Sequence, residues 1–138
     1  MIDGWVRNRD EPVVRLSVFD STDRRHEIDF VIDTGFSGTL LLTPKHAKAL
    51  NLAWMASENA ELADGSITRF DYYQCRLEWG EQIRTVPCAV CDGVPLVGTQ
   101  LLADHELRIQ FTQRGLVTIR PCTDSSADSN NQHSRPED

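Results

Sequence analysis

The residue best placed to do chemistry is Asp33, which directly follows the apolar segment Phe30–Ile32 and opens a loop that contains two glycines. A carboxylate at the end of a buried strand is costly unless it is hydrogen-bonded. The hydroxyls of Thr34 and Ser37 and the amides of the loop are candidates to supply those bonds. A carboxyl group held in this way can take a proton from water or return one to a leaving group. The alternative is an ordinary Asp-Thr-Gly turn without a chemical role.

Two later segments place Asp33 in a wider pattern. Ala63-Asp64-Gly65 follows about thirty residues after the Asp-Thr-Gly triplet, and Leu96-Val97-Gly98 comes further on. With these segments the sequence resembles the retropepsin-like aspartic proteases over roughly residues 10 to 120. The phenylalanine after Asp-Thr-Gly is similar to a prokaryotic branch of that family, which carries Asp-Thr-Gly-Phe.

The resemblance implies a role for each segment. Asp33 would be the catalytic carboxylate, and Thr34 would help to lock two catalytic loops together across a dimer. Ala63-Asp64-Gly65 would be the tip of a β-hairpin flap that closes over substrate, and Leu96-Val97-Gly98 would support the loop from behind. The active-site loop that the family implies consists of Thr34, Gly35, Phe36, Ser37 and Gly38.

The loop departs from the family pattern at two places. Phe36 stands where family members often carry Ala or Ser, so no hydroxyl assists the aspartate from that position, and the ring is expected to shape or block a subsite. Ser37 and Gly38 replace the acidic pair that some viral members use to hold the substrate backbone. The sequence therefore leaves the anchoring of substrate open.

The chain contains a single Asp-Thr-Gly triplet. Peptide hydrolysis of this kind needs two carboxylates that share a proton and a water, because two like charges so close together do not both ionise. The resemblance therefore implies a homodimer in which a two-fold axis brings together Asp33 from each copy. The predicted function is an aspartic endopeptidase acting on a peptide or protein substrate. The alternative is a dimeric peptide-binding or scaffold module that keeps the fold without turnover.

Cysteine and histidine spacing raises the alternative of a metal site. Cys88 and Cys91 have the Cys-x-x-Cys spacing of redox and zinc sites, but they lie in a predicted strand, where residues three apart face opposite sides. A zinc site joining all four cysteines stays open as an alternative. None of the four histidines has His-Glu-x-x-His spacing. We therefore expect no metal and no cofactor.

The elements that would position Asp33 are mainly strands. Apolar, partly alternating segments at 13–19 and 27–32 are predicted to form a hairpin that leads directly into the Asp33 loop. A second hairpin is predicted over 61–79, with its turn at 63–66. Further strands are expected to end near Val90 and to cover 107–111 and 116–119.

Two short helices complete the prediction. The first covers roughly 45–50, with Thr43 as N-cap and Pro44 in the first helical position. The second covers 99–104, with Thr99 as N-cap. The predicted fold class is all-β, mainly β with two short helices, and the resemblance implies a closed retropepsin-like acid-protease β-barrel with one lobe per chain.

The composition of the 138 residues is that of an ordinary globular domain, with 40% hydrophobic and 25% charged residues. The net charge of −7 repels phosphate backbones and anionic lipid headgroups, so we expect neither nucleic acid nor membrane as a partner. One domain is predicted over residues 1–122, followed by an acidic, disordered tail over 123–138. The start of the chain lacks a signal-peptide pattern, which predicts a soluble, cytoplasmic protein.

Overall fold

The computed structural model describes residues 1–123. Within that range the chain forms ten strands and two short helices. The strands are β1 (Ile2–Arg7), β2 (Glu11–Phe19), β3 (Arg25–Ile32), β4 (Leu40–Leu42), β5 (Ala53–Glu61), β6 (Ile67–Trp79), β7 (Gln82–Val90), β8 (Leu96–Val97), β9 (His105–Ile109) and β10 (Leu116–Pro121). The helices are α1 (Pro44–Leu50) and α2 (Thr99–Leu102).

Six of these strands close into a barrel. Their order is β2-β3-β8-β4-β7-β6, and β6 pairs back with β2 through Leu77 and Val18. Strands β1, β10 and β9 continue the sheet outward from β2, and β5 extends it from β6. The predicted mainly-β class with two short helices and a closed barrel is therefore confirmed.

One face of each barrel strand fills the core, because successive side chains along a strand point to opposite sides. In β2, Leu16 is buried while its neighbour Arg15 is exposed and pairs with Asp29 of β3 at 2.7 Å. The largest fully buried side chains include Phe30, Leu40, Leu42, Leu50, Leu77, Leu101 and Ile119. This alternation fixes the register of β2 against β3, and with it the point where β3 ends and Asp33 begins.

Strand β8 lies between β3 and β4 and holds both ends of the Asp33 loop. Ile32 of β3 pairs with Val97 in parallel, and Leu40 of β4 pairs with the same Val97 in the antiparallel sense. The chain therefore leaves the sheet at Asp33 and returns on the other side of β8. The two ends of the loop cannot separate without breaking a buried part of the sheet.

The predicted helix caps have different outcomes. Thr43 is the N-cap of α1, where its Oγ1 accepts the amide of His46 at 3.3 Å, and Pro44 opens the helix. The prediction that Thr99 caps α2 is wrong, because Gly98 is the N-cap and Thr99 is the first helical residue. The physical reason is a contact with the Asp33 loop: the Thr99 amide donates to the carbonyl of Phe36 at 2.9 Å.

Two further predictions concern the C-terminal tail and the membrane. Strand β10 ends at Pro121, and the predicted acidic tail lies outside the described residues apart from residue 123. No helix within residues 1–123 has the length and apolar character needed to cross a lipid bilayer.

Candidate functional site

Backbone hydrogen bonds orient Asp33 at the end of β3. Its amide donates to the carbonyl of Val97 at 3.0 Å, and its carbonyl accepts the amide of Phe36 at 3.1 Å. The carboxylate Oδ1 accepts the amide of Gly35 at 2.9 Å, and the side chain is half-buried. No hydrogen bond reaches Oδ2 from residues 1–123. One carboxylate oxygen is thus held in place while the other is left for a water or a partner.

The hydroxyls of Thr34 and Ser37 do not supply the bonds that the sequence suggested. Both residues are exposed, and within residues 1–123 neither hydroxyl bonds to the carboxylate. The Gly35 amide takes that role because the loop turns back tightly on the aspartate, with position 35 so close that an added Cβ would lie 3.2 Å from Oδ1. The exposed Thr34 hydroxyl is accessible at the surface beside Asp33.

Gly98 packs directly beneath the loop. A Cβ at this position would stand 2.3 Å from the Gly38 carbonyl oxygen and 2.6 Å from the Phe36 ring. Three successive amides at the start of α2 donate to loop carbonyls: Gly98 to Thr39 at 2.8 Å, Thr99 to Phe36 at 2.9 Å, and Gln100 to Gly38 at 3.1 Å. The structure therefore brings Val97 and Gly98 against the loop, while Leu96 pairs with Val31 and Leu41 on either side.

The Phe36 ring packs against Gly38 of the loop and against Gly98 at the start of α2. A Cβ on Gly38 would meet the ring at 2.6 Å, which shows how closely the ring is folded over that residue. The ring also lines a cavity beside the loop. The bulky residue at this position therefore shapes the cavity beside the Asp33 loop.

That cavity has a volume of about 370 Å³ and lies between the Asp33 loop and the β5–β6 hairpin. Its size falls in the range of small ligand sites in proteins. Asp33 is not among the residues that line it. The lining residues are Phe36, Ser37, Gly38, Thr39, Leu40, Met55, Ala56, Glu58, Tyr72, Pro87, Ala89 and Gln100.

The β5–β6 hairpin has two chemically different faces. On the outer face, Ser57 donates to Asp71 and accepts from Arg69 Nη2 at 2.9 Å. The hydrogen bond from the Ser57 hydroxyl is the largest cause that lowers the pKa of Asp71, and the Arg69 charge lowers it further. On the opposite face, Ala56 pairs with Tyr72, and both line the cavity together with Glu58.

The tip of the hairpin is a tight, exposed turn. Asp64 Oδ1 accepts the amide of Ser66 at 2.9 Å and its hydroxyl at 2.6 Å, and these two donors lower the pKa of Asp64. Gly65 adopts φ +86°, a left-handed conformation that favours glycine. The tip residues Ala63, Asp64 and Gly65 make no hydrogen bond to the Asp33 loop within the described part of the chain.

Several residues of the cavity were not anticipated from the sequence. Met55 and Glu58 lie in β5, a segment that the sequence did not mark as a strand, and Tyr72 faces them from β6. Thr39 is buried, and its hydroxyl donates to the carbonyl of Pro87. The sequence signal that could have identified Tyr72 was the partial alternation of β6, which places Phe70 and Tyr72 on one face of the strand and Asp71 on the other.

The cysteines occupy different environments. Cys75 and Cys88 are buried on the neighbouring strands β6 and β7, Cys91 lies just beyond β7, and Cys122 is exposed. Hydrogen bonding to Cys88, followed by burial, raises the pKa of the Cys75 thiol. Among residues 1–123 no group of three or more acidic, cysteine or histidine side chains is arranged to hold a metal ion.

Comparisons with known proteins give one similar fold. No protein-family model and no curated protein matches the chain. A crystal structure of a retropepsin-like aspartic protease from Rickettsia conorii is similar over 86% of this chain and 93% of that one, with 21% sequence identity and a TM-score of 0.47. At that identity and TM-score the likeness assigns neither an activity nor a residue role to this chain.

Proposed function

We propose that the chain is one half of a homodimeric, retropepsin-like aspartic endopeptidase in which Asp33 from each copy forms the catalytic pair. The observation that carries the proposal is the placement of the Asp33 carboxylate. One of its oxygens is held by the Gly35 amide, the other makes no hydrogen bond within residues 1–123, and a cavity of about 370 Å³ lies beside its loop.

The chemistry requires two carboxylates that share one proton. The ionised carboxylate takes a proton from water as the water oxygen bonds to the peptide carbonyl carbon, and the protonated carboxyl gives its proton to the carbonyl oxygen. When the tetrahedral intermediate collapses, the first carboxyl protonates the amide nitrogen and the C–N bond breaks. The second carboxylate recovers its proton from the hydroxyl that becomes the carbonyl, so the pair is regenerated.

The dimer follows from the single Asp-Thr-Gly triplet. An isologous two-fold contact would supply the second Asp33 and create one cleft for each pair of chains. The exposed Thr34 hydroxyl beside Asp33 supports a role in that contact. The loop residues 34–38 would then form the floor of the cleft. Gly98 would support this floor through its close contacts with Phe36 and Gly38. Leu96 and Val97 would support the ends of the loop through the pairing of β8 with β3 and β4.

The β5–β6 hairpin would act as the flap. Its inner face lines the cavity, and its tip at Ala63, Asp64 and Gly65 is exposed. The outer edge of β5 is unpaired within residues 1–123, so an extended peptide could add there by main-chain hydrogen bonds. That edge is the observation that favours the second candidate function, a peptide-binding module without turnover.

The extent and location of the domain are part of the same proposal. Residues 1–122 would form the catalytic domain, with residues 123–138 as a dispensable tail. Four cysteines in 138 residues do not make the dense disulfide framework typical of small secreted domains. This supports a cytoplasmic location.

The deciding experiment compares the wild type, Asp33→Asn and the control Asp3→Asn on a mixture of unstructured peptides from acidic to neutral pH. Loss of proton transfer should lower cleavage by about 100-fold or more in Asp33→Asn. Asp3 is exposed on β1, so its substitution should leave cleavage unchanged. Equal cleavage by the wild type and Asp33→Asn would refute the proposal. Peptide binding without cleavage by either would favour the binding module, and a strict monomer at high concentration would exclude the catalytic pair.

A further inference from the structure

Glu58 is the only charged residue among the described residues that line the cavity. The β5–β6 register also places Glu58 on the face of the hairpin that is turned toward the cavity. Glu58 pairs with Phe70, and Ala56 on the same face pairs with the cavity residue Tyr72. The neighbouring outer-face residue Ser57 points the other way, toward Asp71. The lining of the cavity and the strand register are thus two separate observations that place Glu58 on the inner face, which is the face that carries Ala56 and Tyr72.

The Glu58 carboxylate has no cationic partner within residues 1–123. None of the ion pairs in that range involves Glu58, whereas Asp71 on the outer face of the same hairpin lies 3.8 Å from Arg69. No basic side chain lines the cavity. A carboxylate covered by a bound ligand loses water, which is costly unless the ligand offers a hydrogen bond or a positive charge.

The rest of the cavity suits a long aliphatic side chain. Phe36, Met55, Tyr72 and Ala89 provide apolar surface next to Glu58. Lysine and arginine combine an aliphatic stem, which packs against such surface, with a cationic end that needs a polar partner. Glu58 is exposed in the free chain. An acidic side chain would be repelled by its carboxylate, and an uncharged aliphatic one would cover part of the carboxylate without offering it a charge or a hydrogen bond.

We propose that Glu58 is a specificity-determining residue that selects peptides placing a lysine or arginine side chain in this cavity. The inference rests on the proposed peptidase function and adds the class of substrate to it. The stem of the basic residue would contact Phe36 and Tyr72, and its charged end would bind the Glu58 carboxylate.

The test uses sets of three peptides that differ at one position only, which carries lysine, norleucine or glutamate. From one set to the next, this position moves along the peptide. The wild type should cleave the lysine peptide about fivefold better than the norleucine peptide at the responsive position, as expected for one partly solvated ion pair. The preference should disappear in Glu58→Gln and turn toward glutamate in Glu58→Lys. It should also weaken as ionic strength rises.

Glu61→Gln is the matched control, because Glu61 lies on the same strand but does not line the cavity. Its lysine preference should equal that of the wild type. Cleavage with an unchanged lysine preference in Glu58→Gln would overturn the inference while leaving the peptidase proposal intact.

If no peptide is cleaved, the peptidase proposal fails and the inference is judged by binding of the same peptides to the wild type and Glu58→Gln. Tighter binding of the lysine peptide, lost in Glu58→Gln, would support selection by Glu58. Equal binding of the lysine and norleucine peptides, or no binding, would overturn it.

Discussion

Gly98 lies so close to Gly38 that a Cβ at position 98 would stand 2.3 Å from the Gly38 carbonyl oxygen. This contact joins the N-cap of α2 to the loop that carries Asp33. Because the obstructing atoms include backbone oxygens of the loop, they cannot move aside as a flexible side chain would. The position of the Asp33 loop therefore depends on the absence of a side chain more than sixty residues later in the chain.

We predict that Gly98→Ala displaces the loop and lowers the free energy of unfolding by about 1–3 kcal/mol, as overpacking does in other proteins. Urea unfolding measures the loss, and peptide cleavage should fall with it. Gln100→Ala is the control for stability, since Gln100 is exposed in the same helix. Wild-type stability and activity in Gly98→Ala would show that the loop does not need this close contact.

Thr39 offers a second test of how the loop is attached to the barrel. Its buried hydroxyl donates to the Pro87 carbonyl of β7, and its own carbonyl accepts the Gly98 amide. Thr39→Val keeps the shape but removes the hydroxyl donor, so we expect a loss of about 1 kcal/mol in the free energy of unfolding. Thr118→Val, at a half-buried position of β10, should change stability less. Equal effects of the two substitutions would argue against a specific role for the Thr39 hydroxyl.

The β2–β3 turn predicts a dependence of stability on pH. Bonds from His26, from the Thr22 hydroxyl and from the Arg24 amide lower the pKa of Asp20 well below its ordinary value. Since the folded-state pKa lies below the unfolded value of about 3.9, the stabilisation is present above that pH and is lost as the pH falls toward the folded-state pKa.

Urea midpoints at pH 7 and pH 3 measure this effect. The difference in midpoint between the wild type and Asp20→Asn should shrink at the lower pH. Asp92→Asn, at an exposed position after β7, should show no such change and serves as the control. A difference between wild type and Asp20→Asn that is the same at both pH values would contradict the prediction.

The strands around Asp33 could be predicted because their sequences agree with their burial. In β2 and β3 the apolar residues alternate in part, and Thr43 with Pro44 marks the start of α1. β5 contains no β-branched residue, so its strand conformation comes from pairing with β6 rather than from local preference.

Other features depend on contacts that a local pattern does not contain. Gly4 interrupts the apolar pattern of β1 because the Val13 carbonyl would lie 2.0 Å from a Cβ there. Asp33 and Gly98 could be singled out from their sequence context. Glu58 and Tyr72 reach the cavity only through the register of the hairpin and its position over the barrel, so the sequence did not reveal them.

Cysteine reactivity tests the packing of the barrel directly. In the native protein, alkylation by iodoacetamide should be fast at the exposed Cys122 and slowest at the buried Cys75 and Cys88. Cys91 should react at an intermediate rate, because burial and the nearby Asp92 charge raise its pKa. Mass spectrometry locates the modified residues, and urea should make all four react at similar rates. Native alkylation of Cys75 as fast as that of Cys122 would be incompatible with a closed, packed barrel.

Removal of residues 123–138 tests the proposed limits of the domain. This segment carries four acids, one arginine and a single alanine as its only apolar residue, so it can contribute little apolar burial. Every core residue of the described chain lies within residues 2–119. The free energy of unfolding of the chain 1–122 should therefore lie within about 0.5 kcal/mol of that of the full chain. The number of copies per particle and the peptide cleavage should also be the same. Sedimentation of both proteins at matched concentrations gives the mass, and dissociation of the shortened chain alone would assign the segment a role in holding the two copies together.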